Sequence, residues 1–393
     1  MLEAAWGGLS RYVIDLANAM APLGVESIVA ADDGEWRAKF DAANLEFIQV
    51  PLLRERLLLR DSRRTLLSAL AGRRIDLVHT HYRKATVLAR RLKLRGSPDF
   101  PEPTSSTSPV ATRQVPRTAG RVPIVYTVHL SHMNMSGLRK WFTDFGDYTH
   151  IASEDARDWC VNVGKVAGER IRFVPHGIDV ERYPIADAGM KRDARRSLGL
   201  SDEDLVAVFV GRLEYPKNEH WLLDLAAASA GQLPRLKVLL AGDGPNAAML
   251  RDRIDAENLH DRVRLLGEID PVPLYHAADA LLLPSIREGF SLVCAEAMSC
   301  GLPVLRTRTT GSRETIIENA TGRTTDIDHD AFVQGAIAFL SDRARLAEMG
   351  ATAAAHVRAH LTHSMQVTRT LQLYREISGC ALEKNGAGSA RLG

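Results

Sequence analysis

Two carboxylates, Glu288 and Glu296, stand eight positions apart in the run Pro284-Ser285-Ile286-Arg287-Glu288-Gly289-Phe290-Ser291-Leu292-Val293-Cys294-Ala295-Glu296. The first falls in a glycine-containing loop after an apolar strand, the second inside a short helix. This brings two acceptors and a helix N-terminus to one place, and helix N-termini attract anions through their free N–H groups. A sugar nucleotide needs that combination, with hydroxyls to grip and phosphates to hold. Paired carboxylates also cleave glycosidic bonds, but that chemistry needs both groups on one bond. Loop-then-helix placement argues instead for separate contacts along one ligand, with N–H groups of Gly289, Phe290 and Ser291 on its phosphates.

Cations complete the pattern. Arg212 and Lys217, five positions apart, follow an apolar strand in Gly211-Arg212-Leu213-Glu214-Tyr215-Pro216-Lys217. There they can clamp a diphosphate and neutralise it as it leaves, or they are two solvated surface charges. Gly7-Gly8 precede a helix, and glycine there either lets a phosphate approach the backbone or makes a turn. Ala241-Gly242-Asp243-Gly244-Pro245 lacks the third glycine of a dinucleotide site and reads as a strand-to-helix turn. His79, His81 and His129 end two strands on the edge that borders ligands in open α/β sheets, where His129 can bond a transferred sugar or serve the structure. Pro175-His176-Gly177-Ile178-Asp179 is a turn at another strand end. No His/Cys cluster suggests zinc, and Asp326-Ile327-Asp328 lies away from the strand ends, so no metal is expected.

The elements that must position these residues alternate between apolar strands and helical patterns, the mark of a parallel α/β sheet. One series runs through strands at 27–31, 45–50, 77–81, 124–129, 149–153 and 171–174. A second runs through 206–210, 237–241, 263–266, 280–283 and 303–306. The charged stretch at 180–200, with Pro184 and Gly189, separates them, so two doubly wound halves facing a cleft are expected. The Pro/Ser/Thr-rich residues 96–120 read as a disordered insertion, and 379–393 as a disordered tail. A doubly wound domain opens with a strand feeding its first glycine-rich loop. Gly7-Gly8 come after only six residues, and Leu2 to Trp6 is too short and irregular for a central strand. A missing first strand is expected, leaving its two neighbours unpaired.

A chain of 393 residues suits two domains, and its 45% apolar and 25% charged composition is that of a soluble globular protein. No apolar run is long enough for a transmembrane helix, and Met1 to Ser10 lacks the features of a signal peptide. The 4 scattered cysteines suit free thiols in a reducing cytosol. A net charge of +2 argues against general nucleic-acid binding. Residues 51–95 nevertheless carry 13 basic against 3 acidic residues, a local +10, with leucines interleaved. That segment is either a basic amphipathic helix for an anionic membrane surface or a solvated helix whose leucines pack on the core.

The fragments at 211–217, 241–245, 263–267 and 288–303, with Gly7-Gly8, Thr127-Val128-His129 and 175–179, together resemble retaining glycosyltransferases of family 4. They stand in that family's order and spacing, over about residues 4–378 apart from 96–120. The resemblance implies a GT-B fold, two Rossmann-like domains with the last helix crossing back to the first. It implies sugar transfer from a nucleotide diphosphosugar, with retention of configuration and no required metal or other cofactor. Carried over, Arg212 and Lys217 bind the diphosphate, Glu288 the donor sugar and Glu296 the ribose. Gly8 lies against the donor phosphates and His129 beside the sugar. The leaving phosphate oxygen deprotonates the acceptor, so no protein nucleophile is needed. His176 stands where the family has Asn, in a turn that accommodates it.

The expected organisation is an N-terminal acceptor-side domain at 1–182, a nucleotide-sugar domain at 183–361 and a final helix at 362–378. The expected function is transfer from a UDP- or GDP-sugar to a glycolipid or surface polysaccharide by a cytoplasmic enzyme peripheral to the inner membrane face. A nucleotide-sugar-binding protein without catalysis is the alternative, because the first strand is missing. An epimerase or phosphorylase on the same scaffold is a third.

Overall fold

A computed structural model describes residues 7–34, 36–52, 55, 59–94, 121–129, 135 and 143–378. The chain forms two compact units, one of residues 1–151, 157–174 and 367–393, the other of 152–156 and 175–366. The expected boundary at 182/183 moves to 174/175. Ile178 and Tyr183 belong to the second unit's core, and the Ile178 N–H bonds the Leu361 carbonyl (2.9 Å). The stretches 96–120 and 379–393 lie outside the described residues.

In the first unit, α1 (Gly7–Met20) is followed by β1 (Ile28–Ala31), α2 (Arg37–Ala42), β2 (Glu46–Gln49) and α3 (Arg60–Ala69). Then come β3 (Val78–Thr80), α4 (Arg83–Leu92), β4 (Ile124–Val128), β5 (Tyr148–Ile151), α5 (Glu154–Asn162) and β6 (Ile171–Phe173). Every strand pair is parallel, as helical crossovers require. Among the described residues the sheet is in two pieces, β1-β2 and β3-β4-β5-β6. Alternate residues of β1 serve opposite faces: Val29 and Ala31 pack with Leu9 and Val13 of α1, Ala30 with Leu66 of α3 and Leu88 of α4.

The second unit runs α6 (Ala188–Ser197), β7 (Leu205–Val210), α7 (Trp221–Ala228), β8 (Leu236–Ala241), α8 (Ala247–Ala256), β9 (Val263–Gly267), α9 (Pro271–Ala277) and β10 (Ala280–Leu283). It continues with α10 (Leu292–Ser299), β11 (Val304–Thr307), α11 (Ser312–Thr315), β12 (Gly322–Thr325), α12 (His329–Leu340), α13 (Arg343–His360) and α14 (His363–Ser378), of which residues from Val367 on belong to the first unit. Its six strands form one parallel sheet in the order β12-β11-β10-β7-β8-β9. Strands covered on both faces read as continuous apolar runs, and β7, β8 and β10 do: almost every residue in them is buried. The sequence pattern missed β12, a polar Gly-Arg-Thr-Thr edge strand. Helix starts are set by Asp side chains accepting from the first turn, as at Asp187 of α6, Asp328 of α12 and Asp342 of α13.

Candidate functional site

The second unit gathers its chemistry on loops at the carboxyl ends of β7, β8 and β10. The loop after β7 is held by the loop after β8. Leu213 N–H donates to the Asp243 carbonyl, and Asn246 N–H to the Leu213 carbonyl, each at 2.9 Å. Gly242 and Gly244 are what permit this approach. A Cβ on Gly242 would lie 1.9 Å from the Gly211 carbonyl oxygen, and one on Gly244 2.4 Å from that of Leu213. The segment that looked like a plain turn is thus the seat of the 211–217 loop. The loop after β10 joins through Ile286 N–H, which donates to the Pro216 carbonyl (2.9 Å). On its other side Gly311, at φ +78°, lets the loop before α11 approach Gly289 and Phe290.

This scaffold brings Lys217 and Glu288 into direct contact: Nζ donates to Oε1 at 2.5 Å. Glu288 is buried and Lys217 half-buried, so the pair is shielded from the screening that weakens surface ion pairs. Arg212 instead makes a two-point contact with Glu214, at 2.7 and 3.2 Å, and is exposed. Glu296 is buried on α10 and accepts from the Tyr275 hydroxyl (3.2 Å). Burial, with the Glu296 carboxylate beside it, raises the Tyr275 pKa. Ser291 is the residue before α10, and Gly289 and Phe290 lead into it. His176 is buried edge-on to Phe290, with ring centroids 5.4 Å apart.

Sequence reasoning passed over Arg306, whose side chain is fully buried in β11. Its guanidinium donates to Thr309 Oγ1 (2.7 Å), the Thr310 carbonyl (3.3 Å) and Thr315 Oγ1 (3.4 Å), which ties down the loop that carries Gly311. An Arg between leucines and threonines in an otherwise apolar strand was the available signal. Asp326 and Asp328 are not a cation pair, since Asp326 faces Arg308 (3.3 Å) and Asp328 caps α12. Among the described residues no group of three acidic, His or Cys side chains is placed to hold a metal ion.

The first unit holds the other expected residues. Gly8 lies in the first turn of α1. His129, at the end of β4, contacts His81 (Nε2 to Nδ1, 3.1 Å), and both rings pack edge-on to Tyr12 of α1 at 5.5 Å. Beside them runs a one-way hydrogen-bond chain. The Val174 carbonyl only accepts, so His150 Nε2–H donates to it (2.9 Å) and leaves Nδ1 to accept from the Thr127 hydroxyl (2.8 Å). Thr127 Oγ1 then accepts from His79 Nε2–H (2.6 Å), and His79 Nδ1 accepts from the Tyr374 hydroxyl of α14 (2.5 Å). Burial holds the His150 pKa down at about 4, so the chain carries neutral imidazoles.

Among the described residues, the basic segment 51–95 is not one helix but carries α3, β3 and α4. Leu52, Leu59 and Leu66 are buried in one core cluster with Leu88 and Leu92, so these leucines serve the core. Several of its arginines are paired within the unit: Arg90 with Asp144 and Asp147, Arg73 with Glu46. No described helix is long and apolar enough to cross a membrane.

The sequence pattern described as "Glycosyl transferases group 1" matches residues 190–356, and that described as "Glycosyltransferase Family 4" matches 6–101. The D-inositol 3-phosphate glycosyltransferase of Corynebacterium glutamicum is 26% identical over 391 residues, covering 90% of this chain and 88% of its own length. That of Nocardia farcinica is 30% identical over 308 residues, covering 70% of this chain and 66% of its own. Anabaena HepE, solved in complex with UDP-glucose, superposes with a TM-score of 0.76 at 20% identity, covering 97% of this chain and 98% of that one. With its two parallel α/β units, the chain belongs to the glycosyltransferases of family 4, group 1, which have the GT-B fold and transfer glycosyl groups.

Proposed function

We propose that the protein is a retaining glycosyltransferase that takes its sugar from a nucleoside diphosphate donor held in the second unit. The carrying observation is the shielded Lys217–Glu288 pair on loops anchored by Gly242, Gly244 and Gly311. In the free protein the two charges satisfy each other. When donor binds, Lys217 turns to the diphosphate and Glu288 accepts from sugar hydroxyls. The exposed Arg212 adds a second cation to the phosphates, and the N–H groups at 289–291 solvate the developing charge from the start of α10. Glu296, held by Tyr275, takes the ribose. The leaving phosphate oxygen accepts the acceptor's proton, without a metal ion. A UDP-sugar is the favoured donor, because the HepE structure was obtained with UDP-glucose.

The acceptor has two readings. The basic surface of 51–95 favours a glycolipid or growing surface polysaccharide at the inner membrane face. The relatives' names favour a soluble inositol phosphate. Turnover of UDP- and GDP-sugars against both acceptor classes, with NMR of the product's anomeric centre, tests the whole reading. An inverted anomer ends the retaining mechanism, and nucleotide-sugar binding without turnover of any acceptor turns the protein into a binding module. Flotation with anionic vesicles at low and high salt decides the membrane part.

A further inference from the structure

Arg306 is fully buried in β11, yet no carboxylate neutralises it. Its Nη groups donate to the Thr309 and Thr315 hydroxyls and the Thr310 carbonyl, all uncharged, and its Nε is buried without a partner. The acidic groups on and beside the same loop are engaged elsewhere. Glu314 accepts from Glu154 N–H (2.7 Å), and Asp155 accepts from Gly311 N–H (3.3 Å) while facing Arg313 (3.7 Å). The other buried arginine of this unit shows the ordinary arrangement, since Arg195 bonds Asp279 at 2.9 Å. A buried charge without a counter-charge destabilises the fold around it, so its presence in β11 needs a reason.

Fastening the 309–315 loop does not need that charge. Thr315 Oγ1 also bonds the Gly311 and Ser312 carbonyls (3.1 and 3.3 Å), and a neutral amide could donate to Thr309 and Thr310. The position of the charge gives it a use. Thr310, whose carbonyl it bonds, precedes Gly311, and a Cβ on Gly311 would lie 2.9 Å from the Phe290 Cα. These links put the guanidinium within about 12 Å of the Phe290 backbone. Close by is the first turn of α10, where the Cys294 thiol is raised by burial and acted on by the charges of Arg306, Glu288 and Lys217. In the free protein Lys217 and Glu288 cancel, as do Arg212 and Glu214, and Arg287 is exposed to screening water. Arg306 remains as a fixed, unscreened positive charge beside helix N–H groups that themselves attract anions.

On the reading of this unit as the donor site, we propose that Arg306 is an electrostatic positioning residue for the donor's diphosphate. Its buried charge, uncompensated in the free protein, is balanced by the anion bound at the start of α10, without touching it. At an effective dielectric constant of about 20, a charge about 12 Å away changes the affinity for one negative charge by about tenfold.

Titrations of UDP and of uridine against the full-length parent, Arg306→Lys, Arg306→Gln and Arg306→Met test this, after circular dichroism and urea melts confirm that each protein folds. The lysine variant keeps the charge but loses the planar fork of donors, whereas the glutamine variant keeps donors and loses the charge. Expected is UDP affinity weakened about tenfold in Arg306→Gln and Arg306→Met and less than about threefold in Arg306→Lys. Uridine, which has no phosphate, should bind all four proteins equally. If Arg306→Met does not fold, the comparison of the lysine and glutamine variants decides alone. A lysine variant as weak as the glutamine variant would overturn the proposal, because the hydrogen bonds and not the charge would then be at work. So would a glutamine variant that matches the parent, or equal losses for UDP and uridine, the mark of a distorted site. Each of these leaves the donor reading intact. A parent that binds neither UDP nor GDP would overturn the donor reading, and the role of Arg306 with it.

Discussion

Lys217 and Glu288 are 71 positions apart in the chain, yet Nζ and Oε1 meet at 2.5 Å. The two groups arrive from the ends of β7 and β10, neighbours in the sheet. The contact joins the two loops before any ligand arrives. Their effects on transfer should be coupled rather than separate. Lys217→Ala and Glu288→Ala should each lower kcat/KM by about a hundredfold or more, the range seen when a charge-stabilising group is removed. The double variant should fall little below the weaker single, since residues that act as a unit on one ligand are non-additive. A double-mutant cycle on kcat/KM measures this. Losses that multiply would mean that the two act independently.

The glycines of the β8 loop carry a prediction of their own. Gly242, at φ +135°, has no room for a side chain, because a Cβ would stand 1.9 Å from the Gly211 carbonyl. Gly242→Ala must push the 211–217 loop away or strain the backbone, at about 2–3 kcal/mol. The loop also carries Lys217, so donor affinity should weaken along with stability. Gly231→Ala is the control, as a Cβ there meets nothing within 4 Å. Urea melts and UDP titrations of both variants check this, and a neutral Gly242→Ala would mean that the two loops are not held together.

Much of this was legible in the sequence, and the exceptions have physical causes. Eleven strands were placed by their apolar runs, but β12 was not, because Gly322, Arg323, Thr324 and Thr325 give an edge strand with no apolar face. Lys217 and Glu288 were each recognised, but their contact was not, since sequence spacing says nothing about which loops share a sheet end. In the sequence Gly242 and Gly244 make a turn, and their part in close packing becomes visible only when the 211–213 backbone lies against them. The histidine chain escaped for the same reason. His79 and His150 come from β3 and β5, with Thr127 of β4 between them, and only the strand order joins them. Leu52, Leu59 and Leu66 allow two readings in the sequence, and only the core cluster shows that they pack inside.

The thiols give a chemical check on the packing. Cys160, Cys294 and Cys300 are free and buried. Burial pushes Cys160 and Cys300 up to about 12 and raises Cys294 as well. The thiolate is the reactive form, so these three should resist iodoacetamide at pH 8 in the native protein and react fully in urea. Peptide mapping after labelling reads each site separately. Fast native labelling of Cys160 or Cys300 would show that the helix packing around it is open.

The histidine chain predicts how the first unit responds to acid. His150 is fully buried and neutral, with a pKa of about 4 against the ordinary 6.5 for an exposed imidazole. Above about pH 6.5 neither the folded nor the unfolded state protonates it, so it has no effect on stability there. Below that the unfolded chain takes up a proton that the folded state refuses. Stability must fall with pH down to about 4 and then level off for this group. Between pH 7.5 and 5 the loss from His150 alone is on the order of 2 kcal/mol. His79, His81 and His129 are also held down by burial and steepen the slope. His150→Gln keeps an amide to donate to the Val174 carbonyl and an oxygen to accept from Thr127, but does not titrate. It should be somewhat less stable at pH 7.5 and show a flatter pH dependence, followed by urea melts with a probe in the first unit. A His150→Gln slope as steep as the parent's would place the acid sensitivity elsewhere in the unit.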